Sequence, residues 1–385
     1  MVARAYWRDG LTWACNSGMF VFGIVLAVLG VLLPLLFEMI QLEPSEAGAL
    51  FLFLNFGALL ITFSAGPAFD RFGYKWILVG CAFLTAGAFG GMGNAESYTA
   101  FALCSFLIGV GGGGLNAGIN ALVSDLYPTE KAAALNRVGI FFGAGTFFIP
   151  LFIGTLLTFF PVGSILLMTG LICAIPGLLF LFFPFPHFRR DAAIQPGRIL
   201  KLFAKPFLLL AAVLLFFQSG NEITTGGWLT TFLTGRIGVS PQESFYFLSA
   251  FWFALIVGRV AAAWILAVIS PASLVQVGAL VSAAALALLH ATDNATAAFA
   301  LSFLAGLGMA AIFPSILGQA TSRFPNHSGS VVGMLLGTAL VGGMLIPWLT
   351  GWVVQQHGIF FSLTFPVIGF LVVCLLQTIL RIRSF

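Results

Sequence analysis

Long apolar runs separated by short polar segments occupy the chain from about residue 15 to residue 380. Each run holds around 20 residues, which is the length that an α-helix needs to cross a bilayer. The strands of a membrane β-barrel would instead alternate apolar and polar positions over about ten residues. The pattern therefore predicts twelve membrane-spanning helices, at 15–37, 46–65, 76–93, 99–124, 137–159, 162–184, 206–233, 243–267, 272–290, 295–319, 328–353 and 358–380.

The composition agrees with a membrane protein and excludes a water-soluble one. Hydrophobic residues make up 60% of the chain and charged residues only 7%, whereas soluble domains carry about 25% charged residues. Five cysteines lie in or beside apolar runs without metal-ligand spacing, so we interpret them as small buried hydrophobes. The glycine run at 111–114 lacks the Lys and Ser or Thr of a phosphate loop. No catalytic triad or zinc motif is present, so we expect no enzyme activity, no cofactor and no nucleic-acid partner.

One segment of the first half recurs in the second half. Residues 105–154 match residues 302–351 without a gap, at a constant offset of 197, and the match includes Pro128 with Pro325. One repeat at half-length indicates two homologous halves, which is the architecture of many secondary transporters. We expect an N-terminal six-helix bundle, a cytoplasmic linker and a C-terminal six-helix bundle, at 1–184, 185–205 and 206–385.

The basic residues predict the orientation in the membrane. All of the 16 lysines and arginines except Arg236 and Arg259 fall on the side of the N-terminus. Lysine and arginine are enriched in cytoplasmic loops, and twelve spans return the chain to the side on which it starts. We therefore expect a multi-pass protein of the cell (inner) membrane with both termini in the cytoplasm.

Between the second and third predicted spans the chain reads Gly-x-x-x-Asp-Arg-x-Gly-x-Lys, from Gly66 to Lys75. This loop resembles the cytoplasmic signature loop of the major facilitator superfamily. The resemblance covers the whole chain and implies that family's fold, an all-α membrane protein with twelve transmembrane helices in two pseudo-symmetric six-helix bundles. It also implies a conformational gate in which Asp70 faces the N-terminus of the eleventh span and Asp125 pairs with Arg71. The expected gate residues are Gly66, Asp70, Arg71, Gly73 and Asp125. Alternatively, these charges only anchor helix ends at the interface.

A narrower resemblance lies in the seventh span. Residues 218–228 are similar to the Gly-x-Glu-x-x-x-Gly-x-Trp pattern of the fucose/glucose/galactose permease branch, and residues 116–120 also look like that branch. Proton-coupled fucose permeases carry carboxylates in the first and fourth spans, where this chain has Gly30 and Asn116. The usual coupling pair is therefore missing, which leaves a uniporter, another coupling group, or another ion such as Na⁺ in place of H⁺.

Glu222 is the only carboxylate well inside a predicted span. A charge there costs roughly 2.5–3.5 kcal/mol on insertion scales, so a functional role is the default hypothesis. Three roles stay open: an acceptor for substrate hydroxyls, a proton carrier, or a ligand for a small cation. The structural alternative is a carboxyl paired to backbone where the glycines of this span break the helix. Arg259 is expected about 10 Å away in depth, so we do not expect it to pair with Glu222.

The residues expected to bind substrate are polar or aromatic and lie in three predicted spans. They are Asn55, Asn116, Asn120, Gln218, Asn221, Glu222, Thr225 and Trp228. Amides and a carboxylate beside aromatic rings suit a neutral polyol, because the polar groups bind hydroxyls and the rings stack on the apolar sugar face. Interhelical hydrogen bonding is the alternative role of the three asparagines 55, 116 and 120.

These features favour a transporter of a small polar solute, a hexose-type sugar, that works as a monomer by alternating access. The alternative is a multidrug or metabolite antiporter of the same fold, because residues 143–154 partly resemble the antiporter signature. The recurrence of that pattern in the second half argues instead for helix packing. A third hypothesis, a membrane receptor or scaffold, predicts no need for Glu222.

Overall fold

The computed structural model describes residues 10–185 and 205–382. Twelve helices in this part of the chain are long and apolar enough to cross a membrane, which confirms the predicted fold class. We number them α1 to α12, with bounds Gly10–Met39, Pro44–Ser64, Arg71–Gly93, Tyr98–Leu126, Lys131–Leu156, Val162–Phe182, Pro206–Phe232, Pro241–Ile265, Pro271–Ala291, Ala295–Arg323, Ser328–His357 and Thr364–Ile382. Most of the expected linker at 185–205 lies outside the described residues.

One end of the helices holds both the α1–α2 loop at 40–43 and the segment at 233–240 between α7 and α8, because Glu38, Thr234 and Pro241 line the same cavity. We call this end the distal face. Helix α8 begins there with a capping box, in which the Glu243 amide donates to Ser240 Oγ at 3.2 Å and the Ser240 amide donates to Glu243 Oε2 at 3.0 Å. Such reciprocal caps satisfy orphan amides and fix where a helix starts.

Helices α2 and α3 belong to one helical run, Pro44–Gly93, that is interrupted at Gly73. Gly73 has φ +73° and ψ 165°, a conformation that residues with a Cβ rarely adopt. The break therefore lies inside the loop that resembles the family signature, where a turn is expected. The side chains of residues 65, 66, 67 and 70 lie outside the described part of the chain.

Helix α10 is broken in the middle of the membrane. Its first part ends at Met309 and its second part begins at Ile312. Pro314 has no amide hydrogen, so it cannot donate to the carbonyl of Ala310 four residues earlier. At the offset of 197 this proline corresponds to Ala117, and α4 runs without interruption through that position.

The offset of 197 also appears in the packing of the helices. A Cβ on Gly109 of α4 would overlap the carbonyl oxygen of Leu54 in α2, and a Cβ on Gly306 of α10 would overlap that of Phe251 in α8. Adding 197 to the residue numbers of Gly109 and Leu54 gives Gly306 and Phe251. The repeat therefore preserves close helix contacts of the small-residue type found in membranes.

A second pair of contacts follows the same rule. Gly23 of α1 faces Gly145 of α5, and Gly220 of α7 faces Gly342 of α11. Each glycine lies so close to the facing backbone that an added Cβ would overlap it. The repeated architecture predicted from 105–154 thus extends to the first helix of each half.

Residue contacts divide the chain into two units. The first unit contains α1 as far as Leu29 and the described chain from Phe53 to the end of α6. The second unit contains residues 30–52 together with α7 to α12. We call residues 30–52, the end of α1 with the start of α2, the distal hairpin. The predicted boundaries at 184 and 206 stay a prediction.

The distal hairpin packs closely against α7 and α11 within the second unit. A Cβ on Gly30 would overlap the carbonyl oxygen of Gly226. Thr230 Oγ1 donates a short hydrogen bond to the Gly30 carbonyl. Gln355 Nε2 donates to Glu43 Oε2 at 3.0 Å. The hairpin is therefore held by backbone contact inside the helix packing and by polar contacts at the distal face.

Candidate functional site

Helix α7 forms the centre of the candidate site. It runs from Pro206 to Phe232 without interruption, so the helix break expected at its glycines is wrong. Those glycines serve close packing instead. A Cβ on Gly226 would come within 2.6 Å of the Trp252 ring, and a Cβ on Gly227 would overlap the ring of Phe51. The break that exposes backbone lies in α10.

Glu222 lies in the buried second half of α7 and forms a polar network. Gln218 Nε2 donates to Glu222 Oε2 at 3.1 Å and lies 3.5 Å from the carbonyl oxygen of Met309. Met309 is the last residue of the first part of α10, directly before the break. Gln218 Oε1 is buried and accepts no hydrogen bond from the described residues. The network thus holds a carboxylate and an amide oxygen with spare acceptor capacity.

Arg259 of α8 is the cation nearest to this carboxylate. Its Nη2 lies 3.8 Å from Glu222 Oε1, so the expectation that the two do not pair is wrong. The depth estimate compared backbone positions, whereas a long arginine side chain extends along the apolar surface and carries its charge to another depth. A third of the Arg259 side chain is exposed (35%), compared with 11% for Glu222. At 3.8 Å the two groups attract as charges without forming a direct hydrogen bond.

The other predicted residues of α7 lie inside the helix packing. Thr225 Oγ1 donates to the carbonyl oxygen of Asn221 at 2.8 Å, and Trp228 is fully buried. The Asn221 amide lies against Gly369 of α12, where a Cβ would overlap it. Both polar atoms of that amide, and the indole nitrogen of Trp228, make no hydrogen bond with the described residues. Their roles in substrate binding stay a prediction.

The predicted asparagines belong to the first unit. Asn120 Nδ2 of α4 donates to Asn116 Oδ1 at 2.8 Å and to the Asn116 carbonyl at 2.8 Å. Both side chains are half-buried, whereas Asn55 of α2 is buried. The structure therefore brings Asn116 and Asn120 together in one polar pair, as their spacing of four residues predicts.

The predicted gate residues surround the α2–α3 break. Tyr74 Oη donates to Asp125 Oδ2 at 2.7 Å, a contact that the sequence did not suggest. Lys75 Nζ donates to the carbonyl oxygen of Leu181 at 2.9 Å. The described contacts include no ion pair between Arg71 and Asp125. Gly66 and the side chain of Asp70 lie outside the described part of the chain, so the gate stays a prediction.

Comparison with known proteins defines the family. The model of the Major Facilitator Superfamily matches residues 16–347, most of the chain. The chain belongs to this superfamily. The resemblance seen in the loop at 66–75 is therefore confirmed.

Relatives of this superfamily member are similar along nearly their whole length. A protein named TsgA homolog from Erwinia tasmaniensis is 27% identical over 356 residues, covering 91% of this chain and 89% of the relative. A protein named glucose/galactose transporter from Brucella abortus is 24% identical over 373 residues, covering 91% and 89%. The crystal structure of a mutant of the nucleoside transporter NupG superposes with a TM-score of 0.81 at 15% identity, covering 97% of this chain and 99% of the other. The last likeness shows the fold alone.

The superfamily member is thus a twelve-span membrane transporter of small molecules and not an enzyme. Among the described residues no three His, Cys, Asp or Glu side chains form a group that could hold a metal ion. Sequence reasoning missed the parts played by Arg259 and by the Met309 carbonyl. Two signals were available: Arg259 is the one basic residue inside a predicted span, and Pro314 interrupts the tenth span.

Proposed function

We propose that this transporter moves a neutral hexose-type sugar across the membrane by alternating access. The observation that carries the proposal is the network of Gln218, Glu222 and Arg259, a polar site formed by α7 and α8. A relative of similar length is named glucose/galactose transporter, which supports the same substrate class. A sugar presents several hydroxyls. A site that hydrogen-bonds a hydroxyl rejects a ligand that lacks it far more strongly than an apolar pocket distinguishes ligands by size. Polar side chains therefore suit a site that selects a sugar.

The network offers complementary groups to a sugar. Glu222 and Gln218 Oε1 accept hydrogen bonds from sugar hydroxyls, and Arg259 donates to hydroxyl oxygens. The existing contacts inside the network are few, at 3.1 Å and 3.8 Å, so a sugar exchanges them for its own without leaving a charge unpaired. This exchange limits the desolvation penalty that binding a polar solute would otherwise carry. Asn55, Asn116 and Asn120 of the first unit stay proposed substrate ligands.

Glu222 is also our candidate for cation coupling, with H⁺ or Na⁺. The first-span and fourth-span carboxylates of the proton-coupled fucose permeases are replaced by Gly30 and Asn116. A coupled mechanism then requires the charge of Glu222 to change or to be compensated as sugar binds. A uniporter requires no such change, and Glu222 then serves as a binding residue alone.

Access from the distal face requires the distal hairpin to separate from α7 and α11. The contacts that must break include the bonds of Gln355 to Glu43 and of Thr230 to Gly30. On the other face we propose the gate at Gly66, Asp70, Arg71, Gly73 and Asp125. We further infer that this face is cytoplasmic, that the protein lies in the inner membrane, and that one copy suffices for transport.

The test is uptake of labelled glucose, galactose and fucose into proteoliposomes, with and without pH and sodium gradients. It compares the wild type with Glu222→Gln, which keeps the shape of the side chain and removes its charge. Glu96→Gln is the matched control, because Glu96 is exposed in the loop between α3 and α4. We expect sugar uptake in the wild type and in the control.

The form of the loss in Glu222→Gln assigns its role. Gradient-driven uptake that becomes gradient-independent in the variant makes Glu222 the coupling group. Gradient-independent uptake that is lost in the variant makes Glu222 a binding residue of a uniporter. Absence of flux for all three sugars under every gradient would overturn the proposal and favour a multidrug or metabolite antiporter.

A further inference from the structure

We propose a second ligand site at the distal face, separate from the Glu222 network and specific for a small amphipathic organic cation. The site is a cavity of about 490 Å³ between the distal hairpin and the ends of α7 and α11. Ligand pockets commonly measure about 300–1,000 Å³. Thr231, one of the residues that line the cavity, lies nine residues beyond Glu222. That spacing is about 13 Å along a helix, so the cavity is separate from the Glu222 network.

Most of the cavity wall is apolar. Pro34 and Phe37 of the hairpin lie on one side, and Val354 and Ile359 lie on the other. Such walls bind a hydrocarbon body, because they replace water around both surfaces. They contain no hydrogen-bonding side chain, so the polar selectivity of the cavity comes from a few other residues.

Thr231 supplies a polar group that has no partner in the packing. Its residue is 8% exposed, it lines the cavity, and its Oγ1 makes no hydrogen bond with any described residue. A buried hydroxyl without a partner costs free energy. The oxygen itself is closed to the cavity in the rotamer shown, but threonine in a helix occupies two χ1 rotamers. After rotation to the other rotamer, a ligand that donates a hydrogen bond to Thr231 Oγ1 would remove that cost. Thr234, which also lines the cavity, donates its own hydroxyl to the Thr231 carbonyl at 3.1 Å.

Charge decides between a neutral and a cationic ligand. Glu38 is the only charged residue that lines the cavity in the described part of the chain. The nearest arginine in sequence, Arg236, is paired with Asp293. Two further carboxylates, Glu43 and Glu46, belong to the same hairpin. Those two carboxylates do not line the cavity and accept hydrogen bonds from Gln355 and from the Glu43 amide. The cavity therefore combines apolar walls, a buried hydroxyl and one carboxylate, Glu38, which suits an ammonium group on a small hydrocarbon body.

The experiment uses three probes of similar shape and different charge: benzylamine, benzyl alcohol and benzoate. Their dissociation constants are measured with the purified full chain at neutral pH, by the concentration dependence of thermal stabilisation, which requires no transport. We expect benzylamine to bind at least about tenfold more tightly than benzyl alcohol, a difference of about 1.4 kcal/mol, because only the amine carries a charge opposite to that of Glu38. Benzoate should bind least.

Three variants locate the binding. Glu38→Gln should remove the advantage of the amine over the alcohol, and Thr231→Val, which keeps the side-chain shape, should weaken the amine and the alcohol together. Glu96→Gln, a change at an exposed carboxylate of the first unit, should leave all three constants unchanged. Equal binding of amine and alcohol to the wild type, or an amine preference that survives Glu38→Gln, would overturn the proposal. Absence of amine binding would overturn it as well.

Discussion

The close glycine contacts allow a quantitative prediction. Gly342 and Gly333 both lie inside α11, but an added Cβ meets very different surroundings. At Gly342 it would overlap the carbonyl oxygen of Phe216 and lie 2.7 Å from that carbonyl carbon, whereas at Gly333 nothing lies within 4 Å. The blocking atoms are backbone, so no side-chain rotation relieves the overlap.

The expected cost follows from the distances. Carbon contacts settle at about 3.5–4.0 Å, so Gly342→Ala requires α11 to move away from α7 by about 1 Å. Overpacking of this kind costs about 1–3 kcal/mol. The gain in helix propensity on replacing glycine by alanine, about 1 kcal/mol, is common to both sites and cancels in the comparison with Gly333→Ala.

The assay is unfolding of the purified variants in mixed micelles, read as the difference in unfolding free energy between Gly342→Ala and Gly333→Ala. We expect the first to be less stable by about 1–3 kcal/mol. The repeat supplies an independent copy of the test in α5, where Gly145→Ala meets the carbonyl of Phe20 and Gly139→Ala meets nothing within 4 Å. Equal stability within both pairs would refute the argument that these crossings are sterically closed.

Three further predictions concern other contacts. Arg259→Gln should lower the unfolding free energy by about 1–3 kcal/mol, less than for a fully buried pair because Arg259 is partly exposed. Adding Glu222→Gln should restore much of that loss in a double-mutant unfolding cycle. No recovery would argue against the pair. Gln355→Ala removes the bond to Glu43 and should speed protease cleavage of the distal hairpin, with an unchanged rate as the contrary result. Cys173 is fully buried and should react with a maleimide only after denaturation, so rapid labelling of the folded protein would contradict its placement.

The parts of the fold that the bilayer imposes could be predicted from sequence. A helix must be long and apolar enough to cross the hydrocarbon region, because lipid offers no partner for unpaired backbone groups. That constraint produces a run of about 20 apolar residues for each span. These runs identified all twelve of the membrane-spanning helices in the described part of the chain. The repeat was visible for a related reason, since glycines and prolines at shared positions preserve close helix contacts that larger residues would block.

The details of the site depended on how far the side chains extend and on which helix is broken. The glycines in α7 suggested a break in that helix. Glycine serves equally well for close helix packing, and the sequence of α7 does not distinguish the two uses. The break instead lies just before Pro314 in α10, because proline has no amide hydrogen and so removes a helical hydrogen bond. The pairing of Arg259 with Glu222 escaped a depth estimate from backbone rise, because the arginine side chain spans several ångströms along the helix.

The residues that obey the repeat and those that violate it have different roles. The glycine pairs recur at the offset of 197, as Gly23 and Gly220 show, and they set how helices cross. At the same offset Glu222 corresponds to Val25 and Arg259 to Thr62, so the charged pair exists in one half only. A charge inside the membrane is expensive and persists where it has a function. A duplicated scaffold needs both sets of crossings to pack, but one charged pair is enough to bind one solute. The asymmetry therefore assigns architecture to the repeated glycines and agrees with the proposal that Glu222 and Arg259 bind the solute.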